Sequence, residues 1–314
     1  MKIGRNERCY CGSGIKYKRC CLQIDEKLGL LRPIAELTSL VTYKFVDQMS
    51  TVEIEQRLKR LGVPFNREEF LEDIKVYVSA EDLAENWFET YSLELNGEDE
   101  DFLILAAWVL WDRLGSEEYL SRERLADMYE EGMEFASKQD FVKAASRMLA
   151  VWEGLKRWHR PELQDIRDLH KPFQADFFVS NFCQDLELVL GNAGREDKTY
   201  YEKQIAYCTE FCKLFPNSSE LIIQNMRYAI ADAYFKLGDS VEAEKQYKKT
   251  VVQFPQNSWG YMRLGDFYFL DRQGSLEDAL QCYERAQQLA DDSMDIEMVE
   301  ERLEDIRAEL QKSE

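Results

Sequence analysis

Apolar residues recur at helical spacing along most of the chain, and polar start signals separate the apolar stretches. Asn66 followed by Glu69, and Ser79 followed by Asp82, precede apolar runs in the pattern of a capping box. The acidic run 98–101 is typical of a first helical turn, where negative charge is favourable. The pattern predicts consecutive helices and no strand, so the predicted fold class is all-α.

Large aromatic side chains occupy apolar positions of the first helical stretch, and we interpret them as core packing and not as the lining of a ligand pocket. They are Trp87, Phe88, Phe102, Trp108 and Trp111. We predict that residues 33–114 form one helical domain.

Two consecutive segments near the C-terminus resemble tetratricopeptide repeats, whose period is about 34 residues. The first has Ile230, Ala231, Tyr234, Ala243, Tyr247 and Pro255 at the expected spacings, with a turn at 237–239. The second, after a two-residue insertion, has Tyr261, Leu264, Gly265, Tyr268, Ala279, Tyr283 and Ala286. In this pattern small residues let paired helices approach closely, and aromatic residues fill the gap against the next pair.

Fainter copies of the same pattern lie upstream. One has Gly132, Phe135, Ala144, Met148 and Val151, with a turn at 139–140. Another pairs residues 183–190 with 201–216 across a loop at 191–198. The pattern predicts one solenoid over 116–292, of about four repeats, capped by a charged helix at 293–314.

Such solenoids present a groove that commonly binds extended peptides or helices. The candidate groove residues are Asn225, Arg227, Tyr228, Arg263 and Asp266.

The charge of the chain is unevenly placed. Residues 1–22 carry six basic side chains against Glu7 alone, a net +5, which leaves -25 for the rest of a chain whose total is -20. Because the chain outside residues 1–22 is so acidic, it repels phosphate groups. We therefore expect no DNA partner and no membrane insertion. The longest apolar run, 102–110, is too short to span a bilayer, and no signal peptide precedes it, so we expect a cytoplasmic protein.

Four of the eight cysteines are crowded into the basic N-terminal segment, in the order C-x-C-x8-C-C. They are Cys9, Cys11, Cys20 and Cys21. Four thiolates suit the tetrahedral preference of zinc, and the intervening 12–14 stretch permits a tight turn. The crowding predicts a metal-binding module over 1–22, with a redox thiol pair or inert cysteines as the alternatives.

This segment resembles the SEC-C motif, a zinc-binding module found in SecA-like proteins and in other bacterial proteins. The resemblance implies that the four cysteines are the ligands, with zinc as the usual metal and iron as an alternative. Other shared positions, which are candidates for partner binding, are Arg5, Asn6, Ser13, Lys16, Tyr17 and Lys18. In SecA-like proteins the basic face docks on an export chaperone or the ribosome. The chain departs from the pattern at 7–8, at Tyr10 and at Ile15, and the last change affects the docking face.

We predict no enzymatic activity, because the two histidines, His159 and His170, belong to no recognisable catalytic or metal-binding constellation. His159 is interpreted as a capping or surface residue near a helix end. The functional hypothesis is a protein-interaction scaffold. Two alternatives remain: a metal- or redox-responsive regulator, and an enzyme whose site lies in residues 33–190.

Overall fold

The described part of the chain contains helices and no strand, which confirms the predicted all-α class. The computed structural model describes Tyr17 and residues 41–173, 176–271 and 275–313. The chain divides into two units, with the boundary between Glu130 and Glu131. Each unit is described separately below.

The described helices of the first unit follow one another with short connections. They are α1 (Tyr43–Gln48), α2 (Thr51–Arg60), α3 (Arg67–Asp73), α4 (Ala80–Thr90), α5 (Glu98–Leu114) and the beginning of α6 (Arg122–Ser137). Asn66 and Ser79 accept hydrogen bonds from backbone amides in the first turns of α3 and α4, so both residues cap their helices as predicted. The reciprocal bond from Glu69 or Asp82 that would complete a capping box is not formed in these two helices. A reciprocal capping box forms at α2, where Ser50 and Glu53 bond to each other's backbone amide.

Helix α5 is buried around most of its circumference and forms the centre of this unit's core. It begins with the predicted acidic turn, after Gly97 with a φ of 60°. The predicted core aromatic residues are buried or partly buried, as expected: Trp87, Phe88, Phe102, Trp108 and Trp111. A helix that is apolar on every side is stable only when neighbours cover it, so α5 sets the packing of the others.

The start of α4 has a second cap, supplied by another helix. Glu123 of α6 is only 8% exposed, and its carboxylate accepts hydrogen bonds from the amides of Ala80 (3.1 Å) and Glu81 (3.4 Å). Burial raises the pKa of Glu123, whereas Arg122 and these amide donors oppose the rise. The carboxylate therefore satisfies helix-end amides that would otherwise be left without acceptors.

The second unit is built mainly of helix pairs. After α6 come α7 (Phe141–Lys156), a 3₁₀ turn (Ile166–Leu169), α8 (His170–Phe173), α9 (Val179–Ala193), α10 (Thr199–Leu214), α11 (Glu220–Leu237), α12 (Ser240–Gln253), α13 (Ser258–Leu270), α14 (Leu276–Leu289) and α15 (Ser293–Ser313). The bounds of α11 to α14 confirm the two predicted tetratricopeptide-like pairs.

The turn between α11 and α12 follows from two residues. Gly238 has a left-handed φ of 91°, and Asp239 then caps α12 by accepting from the amide of Glu242. The α6–α7 turn is built the same way, since Gln139 has a φ of 60° and Asp140 caps α7. The faint upstream copy is therefore a true helix pair with the same turn.

Paired helices cross at small residues, as the repeat pattern predicts. A Cβ atom added to Gly265 of α13 would lie 2.5 Å from the Tyr283 ring of α14. Likewise, a Cβ on Gly132 of α6 would lie 2.6 Å from Met148 of α7. Neither crossing leaves room for a larger side chain unless its neighbour moves.

The sequence pattern missed an insertion between the first helix pair, α6–α7, and the second, α9–α10. Residues 157–178 separate α7 from α9 and include the 3₁₀ turn and α8. The predicted loop at 191–198 is shorter than expected, because α9 continues to Ala193 and α10 begins at Thr199. Trp152 of α7 nevertheless packs against Tyr207, Phe211 and Phe215, so α7 and α10 share one core.

The last helix, α15, has one apolar face and is otherwise charged. Val299, Leu303 and Ile306 are buried against the core of α11 to α14. Within the described residues, no helix combines the length and the apolar character that crossing a membrane would require.

Candidate functional site

The predicted metal ligands Cys9, Cys11, Cys20 and Cys21 lie outside the described residues, as do Arg5, Asn6, Ser13, Lys16 and Lys18. Among the predicted residues of this segment, Tyr17 alone is described, and its side chain is 9% exposed. The metal site therefore stays a prediction.

The remaining four cysteines are ordinary core thiols. Cys183 and Cys208 are buried, and Cys212 and Cys282 are half-buried. Burial raises the pKa of Cys183 to about 12 and that of Cys282 to about 11. A neutral thiol is a poor metal ligand and a poor nucleophile, so these four residues are structural.

One carboxylate cluster in the described ranges has the spacing of a cation site: Asp291, Asp292 and Asp295. Its hydrogen bonds explain it without an ion. Asp292 accepts from the amide of Asp295 at the start of α15, and the Asp295 carboxylate accepts from Ser258 and from the Trp259 ring. The cluster is therefore a helix cap that ties α15 to α13.

A charged and hydrogen-bonded arrangement repeats along the tetratricopeptide-like pairs. Asp232 of α11 accepts from the Tyr247 hydroxyl of α12 and from Arg263 of α13, with an Nη1 to Oδ2 distance of 2.7 Å. One carboxylate thus joins both helices of one pair to the first helix of the next.

The same arrangement recurs one repeat later. Asp266 of α13 accepts from the Tyr283 hydroxyl of α14 (2.9 Å) and from Arg302 of α15, at 2.7 Å to Nε and 3.0 Å to Nη2. Helix α15 therefore takes the position of the first helix of a further repeat. Bidentate pairing of this kind fixes orientation as well as charge.

A third carboxylate, Glu187 of α9, continues the row upstream. Its Oε1 accepts a hydrogen bond from Gln204 at 2.9 Å. Burial, with a contribution from Asp232, raises the pKa of Glu187 to about 7, and Arg263 opposes the rise. We define the charge ladder as Glu187, Asp232, Arg263, Asp266 and Arg302.

Two of the five candidate groove residues, Arg263 and Asp266, are members of the charge ladder. Tyr228 is buried, and the guanidinium carbon of Arg263 lies 5.2 Å from the centre of its ring. Asn225 is placed within 3.5 Å of Gln184 on α9, and Arg227 is half-buried. The structure therefore brings Tyr228, Arg263 and Asp266 to one charged row, whereas sequence reasoning missed Glu187, Asp232 and Arg302.

The first unit contains a separate polar cluster in the region of the enzyme alternative. The Tyr43 hydroxyl of α1 donates to Asp112 of α5 at 2.8 Å, and its ring lies 4.9 Å from that of Trp108. Burial raises the pKa of Asp112 to about 6, opposed by the Tyr43 hydrogen bond and by Arg124. These contacts hold α1 on α5, and a carboxyl that titrates there makes stability depend on pH.

Replacing Asp112 with Asn is expected to remove part of the pH dependence of folding. Because the folded pKa lies above the ordinary value, this carboxyl stabilises the fold most below pH 4, and that stability is lost as pH rises through 6. Because the Asp112 side chain is exposed to solvent, screening reduces this effect, and we expect it to be on the order of 1 kcal/mol. The wild type should lose about this much between pH 4 and pH 7 relative to the variant, measured by urea unfolding at each pH.

Asp47→Asn is the matched control, because its half-exposed carboxylate pairs with Arg113 on the same two helices. If the two variants follow the same pH profile, the assignment to Asp112 is wrong.

The two histidines have structural environments. His159 lies 3.3 Å, by its Nε2, from the carbonyl of Leu214 at the end of α10, and it packs edge-on against Phe215. This confirms the interpretation of His159 as a cap, although it caps another helix. His170 stacks on Phe178, with ring centres 4.7 Å apart.

Residues 5–23 match the family model of the SEC-C motif. A 29-residue stretch is 62% identical to the protein translocase subunit SecA of Aliarcobacter butzleri (strain RM4018). It covers 9% of this chain and 3% of that protein, so the likeness is confined to one small module.

The crystal structure of the P58(IPK) TPR domain is similar over 94% of this chain and 87% of that chain, with 15% identity and a TM-score of 0.32. The assignment of helix pairs follows from the turns and crossings of the chain itself. The protein thus combines a SEC-C motif with tetratricopeptide-like helix pairs.

Proposed function

We propose that this protein is a protein-interaction scaffold with two separate binding parts, a basic metal-holding module and an acidic array of helix pairs. One observation carries the proposal: the SEC-C match in a +5 segment is joined, in one chain, to repeats whose charged side chains remain partly exposed. Opposite charges on the two parts favour different partners.

The metal-holding part is assigned to Cys9, Cys11, Cys20 and Cys21. The donor set is four sulfurs, which suits zinc and, as the alternative, iron. Four protein ligands close a tetrahedral site, so the ion would supply folding free energy and not catalysis. The four other cysteines are core thiols and do not compete for it.

The basic part is proposed to dock on an acidic partner in the cytoplasm, either the ribosome or an export chaperone. Arg5, Asn6, Ser13, Lys16 and Lys18 are the proposed contact positions, whereas Tyr17 is buried and is not proposed as a contact. The repeats would hold a second protein or peptide, because stacked helix pairs present a continuous surface that can follow an extended chain.

Cross-linking in cells tests the two-part function. The full-length protein is compared with a variant in which Cys9, Cys11, Cys20 and Cys21 are all serine, and cross-linked partners are identified by mass spectrometry. We expect the variant to lose one set of partners and to keep those cross-linked to residues 179–313. A variant with both sets unchanged would show that the module binds no partner.

A variant of the four core thiols, Cys183, Cys208, Cys212 and Cys282 to alanine, is the matched control. It changes the same number of sulfurs and should retain both partner sets.

A further inference from the structure

The charge ladder contains more negative than positive groups. Asp266 forms an ion pair with Arg302 through two hydrogen bonds, and no other carboxylate of the ladder shares this arginine. Upstream, Glu187 and Asp232 both lie within electrostatic range of one guanidinium, that of Arg263. One carboxylate at the α9 end of the ladder is therefore left without a cation of its own.

Glu187 is the carboxylate that lacks a full ionic partner. Its hydrogen-bond donor, Gln204, is a neutral amide, and Arg263 is already hydrogen-bonded to Asp232. The other titratable groups that face it come from α10 and are Tyr207 and Cys208. Burying a carboxylate without a compensating charge is costly, so a cation beside Glu187 would be stabilising.

A buried tyrosine beside the ladder, Tyr228, has a hydroxyl without a hydrogen-bond partner among the described residues. Tyr228 lies one helical turn before Asp232, its ring is beneath Arg263, and it is 2% exposed. A buried hydroxyl usually has such a partner, so an unpaired polar atom lies next to Gly260, on the tyrosine whose ring contacts Arg263.

The ladder can be reached from solvent. The exposed fraction is 41% for the side chain of Asp232 and 34% for that of Asp266. The net charge of -25 outside residues 1–22 also attracts cationic groups and repels anionic ones. Both the local and the overall charge therefore favour a positively charged occupant.

We propose that the charge ladder binds a basic peptide segment, with one lysine or arginine side chain of the partner seated between Glu187 and Asp232. This inference rests on the proposed scaffold function and names the chemical class of the partner that the repeats take. A partner cation would neutralise the surplus carboxylate and leave the Asp266–Arg302 pair intact. An acidic peptide would instead add a third carboxylate near Arg263.

Fluorescence anisotropy with a defined probe tests the proposal. A fluorescein-labelled peptide of alternating lysine and alanine is titrated with the full-length protein at about 0.15 M ionic strength, beside peptides with glutamine or glutamate in place of lysine. We expect only the lysine peptide to bind. The Glu187→Gln, Asp232→Asn double variant should weaken its binding about tenfold or more, since pairing with partly buried carboxylates is lost.

The matched control is Asp278→Asn with Glu284→Gln, two exposed positions of α14 that give the same change in net charge. It should bind the lysine peptide within about twofold of wild type, because distant exposed charges are screened. Equal weakening in both double variants, or equal binding of the glutamate peptide, would overturn the proposal.

A second measurement does not depend on the double variant folding. A cation beside Glu187 lowers its pKa from about 7, so binding at pH 7 should release protons from the wild type. Calorimetry in buffers of different ionisation enthalpy measures this release, which should disappear in Glu187→Gln, where the Gln204 contact can persist. If the wild type releases no protons on binding the peptide, the proposed position of the partner cation beside Glu187 is wrong.

The outcome is separable from that of the scaffold function. If partners still cross-link to residues 179–313 in cells but the lysine peptide does not bind, the scaffold function stands and only its basic specificity fails.

Discussion

Replacing Cys9 and Cys20 with serine should abolish stoichiometric metal binding by the full-length protein. Each serine removes one sulfur of an expected four, and a two-sulfur remnant cannot hold zinc tightly. Because a segment of this length has little apolar area to bury, metal binding should supply on the order of 10 kcal/mol of its folding free energy. Elemental analysis should fall from about one zinc per chain to near zero.

Cys212→Ser with Cys282→Ser is the matched control. Both residues are half-buried thiols of the helix pairs, and this variant should keep its metal. Equal metal content in the two double variants would exclude Cys9 and Cys20 as ligands.

Replacing Trp152 with Ala should destabilise the second unit by about 3–5 kcal/mol. The ring is 1% exposed, packs against Tyr207, Phe211 and Phe215, and donates to Glu210 at 2.8 Å. The substitution leaves a cavity between α7 and α10. Urea unfolding followed by circular dichroism measures the loss, and hydrogen exchange should show faster opening in these two helices.

Trp259→Ala provides the comparison for Trp152→Ala. Trp259 also donates to a carboxylate, that of Asp295, but it is 37% exposed, so its replacement should cost less than half as much. If the two losses are equal, α7 and α10 do not share a core that depends on Trp152.

Local signals in the sequence correctly predicted the elements that depend on neighbouring residues. Asn66 and Ser79 cap their helices because a short polar side chain can reach an amide two or three residues away. Gly265 lies at a close helix crossing at the position that the repeat pattern assigns to a small residue. These features depend on spacing within one or two helices, which a single sequence shows.

Features that join distant helices were not visible in the sequence. Glu123 caps α4 from more than 40 residues away, as the separations of 43 and 42 show. The insertion 157–178 was not predicted either. Trp152 and Phe215, on either side of it, come into contact only in the folded chain.

The charge ladder shows the same limit at the candidate site. Arg263 and Asp266 were singled out from the repeat pattern, but Asp232 and Arg302 resembled the many other charged residues of an acidic chain. Their importance follows from pairing across repeats, over separations of 31 and 36 residues. In so acidic a sequence, a functional carboxylate cannot be told from the other acidic residues until the positions of the helices are known.

The most direct test of the account is native mass spectrometry of the unmodified chain, freshly purified under reducing conditions. The account predicts a mass excess of one zinc ion, or one iron ion as the alternative, that is lost on denaturation together with the appearance of all four N-terminal thiols. A chain that carries no metal while Cys9, Cys11, Cys20 and Cys21 are reduced would contradict it.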